Sequence, residues 1–154
     1  MDYARLLHHT IFGGLAAAGF AVLFNIGGRA LPWCGASGAL AVAVRTVALA
    51  AGWSLEAASF AAALAVGCAV QLFQARIGVS RNALDVVGCI PMVPGGFAAK
   101  AILGLFALTA PHPQAPTDTL VMAVTYGLRV AFTIGAIGTG LAIPTLLLRV
   151  RGAK

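Results

Sequence analysis

The chain reads as an all-α integral membrane bundle of about five transmembrane helices, the fourth broken at Pro91 to Gly96. Three observations predict this. Of 154 residues, 60% are hydrophobic and 9% charged, with a mean hydropathy of +0.96, which leaves too little polar surface to clothe a soluble globule. The apolar residues gather into runs of the roughly 20 residues that cross a bilayer. The fourth run carries Pro91-Met92-Val93-Pro94-Gly95-Gly96 at its middle, and a helix broken there is tolerated only where protein or a water-filled cavity satisfies the freed backbone groups. The runs fill residues 1–154 as a single membrane domain, without a separate soluble one.

In chain order, the first helix spans Leu7 to Asn25 and ends at the turn Gly27-Gly28-Arg29. It reads as a retained helix rather than a signal peptide, because Leu31-Pro32-Trp33-Cys34 puts proline and tryptophan where cleavage requires small residues. The second, Leu31 to Ala51, closes at Gly52-Trp53-Ser54; the third, Glu56 to Ile77, closes at Gly78-Val79-Ser80-Arg81-Asn82. The broken fourth runs from Leu84 to Leu108, and after the proline-rich stretch Ala110 to Asp118 the fifth covers Thr119 to Leu148. Small residues recur every four positions as Gly13-Ala17-Ala21-Asn25, Ala57-Ala61-Ala65-Ala69 and Gly127-Ala131-Gly135-Thr139. Such ladders let helix backbones approach closely in lipid.

A net charge of +6 would suggest nucleic acid in a soluble protein, but here the basic residues lie in loops and at the C-terminus, as membrane topology requires. No nucleic-acid partner is expected; membrane lipids are. Cys34, Cys68 and Cys89 are odd in number and isolated, and read as small buried hydrophobes. His8 and His9 are adjacent, so they point to different faces of a helix and cannot both serve one metal. No metal site, cofactor motif or nucleotide-binding loop is apparent, and no catalytic constellation speaks for an enzyme.

A cation inside a span costs about 2.5–3.5 kcal/mol on insertion scales, so Arg45, Lys100 and Arg129 carry the most weight. Arg45 and Glu56 face each other across the Gly52-Trp53-Ser54-Leu55 hairpin and read as a structural ion pair, while Asp85 reads as a charge near a helix N-terminus. Arg129 lies roughly 15 Å into its helix, near the midplane. Neither acid obviously reaches Arg129 or Lys100, which are expected to meet backbone carbonyls, a carboxylate on another subunit or an anionic substrate. Tyr126, Arg129 and Thr133 share one helix face by their spacing. The amides after Gly95-Gly96 begin a half-helix suited to a carboxylate. The predicted substrate site is therefore Pro91, Pro94, Gly95, Gly96, Lys100, Tyr126, Arg129 and Thr133, for a small anionic or zwitterionic solute.

Gly19-Phe20-Ala21-Val22-Leu23-Phe24-Asn25, Arg45, and Ile90-Pro91-Met92-Val93-Pro94-Gly95 resemble the membrane domain of the threonine/serine exporter (ThrE) family, over nearly the whole chain. The resemblance implies a subunit of a two-component exporter in the bacterial inner membrane, acting with a larger partner subunit on small amino acids or dicarboxylates such as succinate. Phe97 and Ala98-Ala99-Lys100 depart from the family's habit of an aromatic residue a few positions after Pro-Gly. With no nucleotide-binding loop, the drive falls to an ion or substrate gradient. A five-helix unit cannot form an inverted repeat by itself, so a larger subunit, a second copy in a homo-oligomer, or both are expected to supply the other half; the alternative function that the same cations allow is a non-transporting scaffold that assembles a partner.

With an outside N-terminus, five spans gather Arg29, Arg76, Arg81, Arg149, Arg151 and Lys154 on the inner side against Arg5 outside, a bias of six to one. A reporter fused after Lys154 is expected to be active in the cytoplasm, and activity confined to the outer side would reverse the topology.

Overall fold

The computed structural model describes residues 3–77, 81–109 and 116–151, and all its regular elements are helical. Gly78-Val79-Ser80 of the turn after the third span, most of the proline-rich stretch from Ala110, and Lys154 lie outside the described residues. The elements are α1 (Tyr3–Leu23), a 3-10 turn at Gly28–Ala30, α2 (Leu31–Ala50), α3 (Leu55–Ile77), α4 (Arg81–Cys89), a 3-10 turn at Ile90–Met92, α5 (Gly95–Leu108) and α6 (Pro116–Arg151). Four helices are long and apolar enough to cross a membrane, and a fifth span results if α4 and α5 count as one broken crossing. The elements form two compact units, one of Met1–Met92 with Ala136–Lys154 and the other of Val93–Gly135.

Helix ends in the first unit are set by local chemistry. Asn25 adopts a left-handed φ of 54°; its amide donates to the Val22 carbonyl and that of Ile26 to the Ala21 carbonyl, both at 2.9 Å. This bond pair is a Schellman cap, so Asn25 terminates α1 rather than extending its small-residue ladder. Gly52, with φ +86°, repeats the motif after α2: its amide donates to Leu49 at 3.0 Å and that of Trp53 to Ala48 at 3.1 Å. At the start of α3, the Ser54 hydroxyl accepts the Ala57 amide at 3.2 Å, an N-cap.

Gly13, Ala17 and Ala21 of α1 are buried, as are Cys34, Ser37, Gly38 and Ala41 of α2. A Cβ on Gly38 would run into the Ala17 Cβ and stand 2.9 Å from the Gly13 carbonyl oxygen. Between α2 and α4, the Ser37 hydroxyl is shared by the Cys34 carbonyl at 2.9 Å and the Leu84 carbonyl at 3.2 Å. A Cβ on Gly88 would sit 2.6 Å from that hydroxyl.

The other two ladders differ from expectation. On α3 two rows are buried, Ala58-Ala62-Val66-Val70 and Ser59-Ala63-Gly67, one and two positions along from Ala57-Ala61-Ala65-Ala69. In an alanine-rich helix neighbouring rows have nearly the same size and polarity, and the neighbouring helices decide which of them pack. On α6, a Cβ added at Gly127 or Gly135 would meet nothing within 4 Å, whereas Gly140 lies against the α3 backbone. Cys68 is exposed, while Cys34 and Cys89 are buried as the sequence implies.

In the second unit α5 meets the first part of α6 where Ala123 approaches Gly104, at 2.9 Å from an added Cβ. Many large apolar side chains face outward, among them Leu15, Leu72, Phe106, Phe132 and Leu147. This is the arrangement a lipid solvent selects, with small residues making the helix contacts.

A Cβ at Gly140 would stand 2.7 Å from the Phe60 carbonyl oxygen and 3.1 Å from the Leu64 amide nitrogen, both backbone atoms. Gly140→Ala is expected to destabilise the protein by about 1–3 kcal/mol through overpacking, whereas Gly19→Ala, with open space around it, leaves it unaffected. Thermal unfolding in detergent checks this; a Gly140→Ala protein as stable as wild type would show that α6 does not pack on α3 through Gly140.

Candidate functional site

Pro91 and Pro94 bring no amide hydrogen to a helical ladder, so the carbonyls one turn earlier lose their usual donors. The chain responds by tightening into the 3-10 turn Ile90–Met92, after which Pro94 takes a non-helical φ of −80° and ψ of 63° at the N-cap of α5. The Gly95 amide donates back to Val93 at 2.8 Å, and the Phe97 and Ala98 amides both donate to Pro94 at 3.1 Å. Of the amides expected to be open to a carboxylate, these bonds therefore use all but that of Gly96. Gly95 and Gly96 are exposed and Pro94 is buried.

Within Val93–Gly135, four predicted or neighbouring side chains come together. The Phe97 and Tyr126 rings stack with centroids 5.6 Å apart and planes 24° from parallel. Lys100 Nζ lies 5.4 Å from the Tyr126 centroid and the Arg129 guanidinium carbon 5.4 Å from the Phe97 centroid. Each helix thus supplies an aromatic residue and, three positions later, a cation, and each cation rests on the other helix's ring. Such contacts are worth about 0.5–2 kcal/mol according to desolvation. Phe97, read from sequence as a departure from a family pattern, is the member that sequence reasoning missed. The matched spacing of Phe97-Lys100 and Tyr126-Arg129 was its signal.

Thr133 shares the Arg129 helix but plays a different part. It is fully buried, and its hydroxyl donates to the Arg129 carbonyl at 2.7 Å, which commits its proton to the backbone. Beside the aromatic pair, Lys100, Leu103, Gly104, Thr119 and Tyr126 line a cavity of about 440 Å³.

In the first unit, Arg45 Nη1 donates to the Met92 carbonyl at 2.6 Å, whereas sequence reasoning directed Arg45 toward Glu56, which occupies the first turn of α3. Pro91 is half-buried just before that carbonyl. Asp85 lies beyond the first turn of α4, only 6% exposed, and with Leu141 and Thr145 lines a cavity of about 340 Å³. The burial of this acid is what the reading as a helix-terminal charge did not anticipate.

Several apolar spans, one of them interrupted by prolines, together with cations inside those spans, define a multi-pass membrane protein of the transporter type. Residues 9–147 match the family described as Threonine/Serine exporter, ThrE, and the chain belongs to that family. No solved structure matches the chain.

If the discontinuity serves transport, Pro91→Ala combined with Pro94→Ala lowers flux by about tenfold or more while membrane insertion stays near wild type, because a restored helix removes the turn between α4 and α5. Vesicle flux and membrane yield measured side by side check this. Full flux in the double variant would remove the break from the site.

Proposed function

We propose that this chain is the membrane subunit of a secondary exporter for a small carboxylate-bearing metabolite, threonine or serine or a dicarboxylate such as succinate. The observation that carries this reading is the crossed pair of cations on the stacked Phe97 and Tyr126 rings. Two like charges anchored to one aromatic pair create a positive field in a low-dielectric setting, which favours an anionic group and disfavours a cationic one. The rings hold the cations in place, and the planar fork of Arg129 matches the geometry of a carboxylate.

In this reading Lys100, Tyr126 and Arg129 bind the substrate, Phe97 positions Arg129, and Thr133 stiffens the α6 backbone beneath it. Pro91, Pro94, Gly95 and Gly96 form the discontinuity that lets the pathway open. Ion coupling, where an ion gradient drives export, falls to the buried Asp85, since a carboxylate inside a span can gain or release a cation. The chain works as one membrane domain in the bacterial inner membrane, with a cytoplasmic C-terminus. The broad outward-facing apolar surface of α5 and α6 leaves room for a larger partner subunit or a second copy as well as lipid. A scaffold role, in which the same cations pair with carboxylates of a partner, is the competing reading.

Arg129→Gln separates the two. For an exporter, flux falls by about tenfold or more with the loss of a charge-assisted bond while yield of the assembled protein is maintained. For a scaffold, assembly itself fails because a buried carboxylate is left without its cation. Flux in inside-out vesicles and complex yield on the same preparation check this; if both match wild type, Arg129 lies outside the site.

A further inference from the structure

Arg45 has a specific partner, and that partner is a backbone oxygen. Met92 is fully buried and ends the 3-10 turn before the break. In an unbroken helix its carbonyl would accept an amide four residues on; here Arg45 Nη1 supplies the donor at 2.6 Å. The guanidinium replaces the helical hydrogen bond that the discontinuity removes, and so keeps the end of the turn satisfied in a medium without water.

That bond uses one of the five donors on the guanidinium. Among the described residues, the Met92 carbonyl is the hydrogen-bond acceptor found for it. Arg45 is half-buried on α2, five residues before Ala50, the last of the helix. At 1.5 Å per residue that is roughly 8 Å from the helix end, inside the apolar region. A half-buried cation at this depth, with donors beyond the one that the Met92 carbonyl takes, can bind a second acceptor. A carboxylate accepts two parallel N–H bonds from the guanidinium fork and is bound about twice as strongly as a neutral oxygen.

We infer that Arg45 is a second carboxylate-recognition residue of the exporter, in the unit that contains Met1–Met92. The substrate carboxylate takes donors of the guanidinium that the Met92 carbonyl leaves unused, so the residue that holds the break is also the one that reads the cargo. The inference rests on the exporter reading, and it is independent of the Lys100 and Arg129 cluster.

The test uses inside-out membrane vesicles from cells producing the full chain, with labelled L-threonine as the transported probe. Unlabelled L-threonine and L-threoninamide compete for it, the second differing by replacement of the carboxylate with a neutral amide. Wild type is expected to prefer the acid by about tenfold or more, the scale of one charge-assisted bond. In R45Q the preference shrinks to about threefold or less, and in R45K, which keeps the charge and loses the fork, KM rises about tenfold while the maximal rate stays within about threefold. Where R45Q carries too little label, the rise in unfolding temperature of the purified protein with each compound reads the same preference. R45Q with the wild-type preference, or R45K with the wild-type KM, overturns the inference. If Arg129→Gln abolishes flux while R45Q keeps its preference, this inference alone fails; if wild-type vesicles carry no threonine, it falls together with the exporter reading for that substrate.

Discussion

A lipid bilayer offers no water to an unpaired carbonyl or amide, and two prolines three residues apart impose that problem on one span. Neither Pro91 nor Pro94 can donate a backbone hydrogen, so every polar group between α4 and α5 must find its partner elsewhere. The observed answer is local and economical. A 3-10 turn shortens the ladder, the amides of Gly95, Phe97 and Ala98 fold back on Val93 and Pro94, and a guanidinium from α2 takes the Met92 carbonyl. The last of these links a helix 47 positions away in sequence to the end of the turn, which makes the shape of the discontinuity a tertiary property.

The remainder of the first unit is organised to bring helices near enough for such a bond. Glycine, alanine, serine and cysteine line the contacts, with Ala17, Ala21, Cys34, Ala41, Ala62 and Ala63 all fully buried. In lipid the hydrophobic effect gives little preference for helix contact over lipid contact, so dispersion between closely approaching backbones must supply the attraction. Many of the larger side chains, which would fill the core of a soluble protein, are turned outward instead. Two left-handed caps, Asn25 and Gly52, fix where α1 and α2 end and therefore which small residues come into register.

The second unit solves a different problem, how to hold the exposed cations Lys100 and Arg129 in place on two stacked rings. Crossing Lys100 onto Tyr126 and Arg129 onto Phe97 places each charge on the negative face of a ring. The same arrangement holds the charges in place for an incoming anion, because the side chains have already been ordered by the rings. Positive field and preorganisation then act together, which is the physical basis of the proposal that the cargo bears a carboxylate.

Solvent, fold class, approximate spans and the position of the break are all legible in the order of residues. Each follows from composition or from residues whose backbone limits act locally: runs of apolar side chains, and prolines without a donor. The family is legible through Pro91-Met92-Val93-Pro94-Gly95, and spacing alone makes candidates of Lys100, Tyr126 and Arg129. The pairings, by contrast, come from tertiary contacts. Arg45 could meet an acid across a short hairpin or an orphan carbonyl from a distant turn, and sequence distance favours the first while the packing of α2 on α4 supplies the second. The buried rows of α3 were equally ambiguous, since adjacent alanine rows differ in little but what the neighbouring helices bring to them. Thr133 looked like part of a polar lining and instead bonds its own helix, because a hydroxyl without another acceptor in an apolar contact turns to the carbonyl four residues back. Membership of a helix face is written in spacing; the partner that the face meets is fixed by how closely small residues allow the helices to approach.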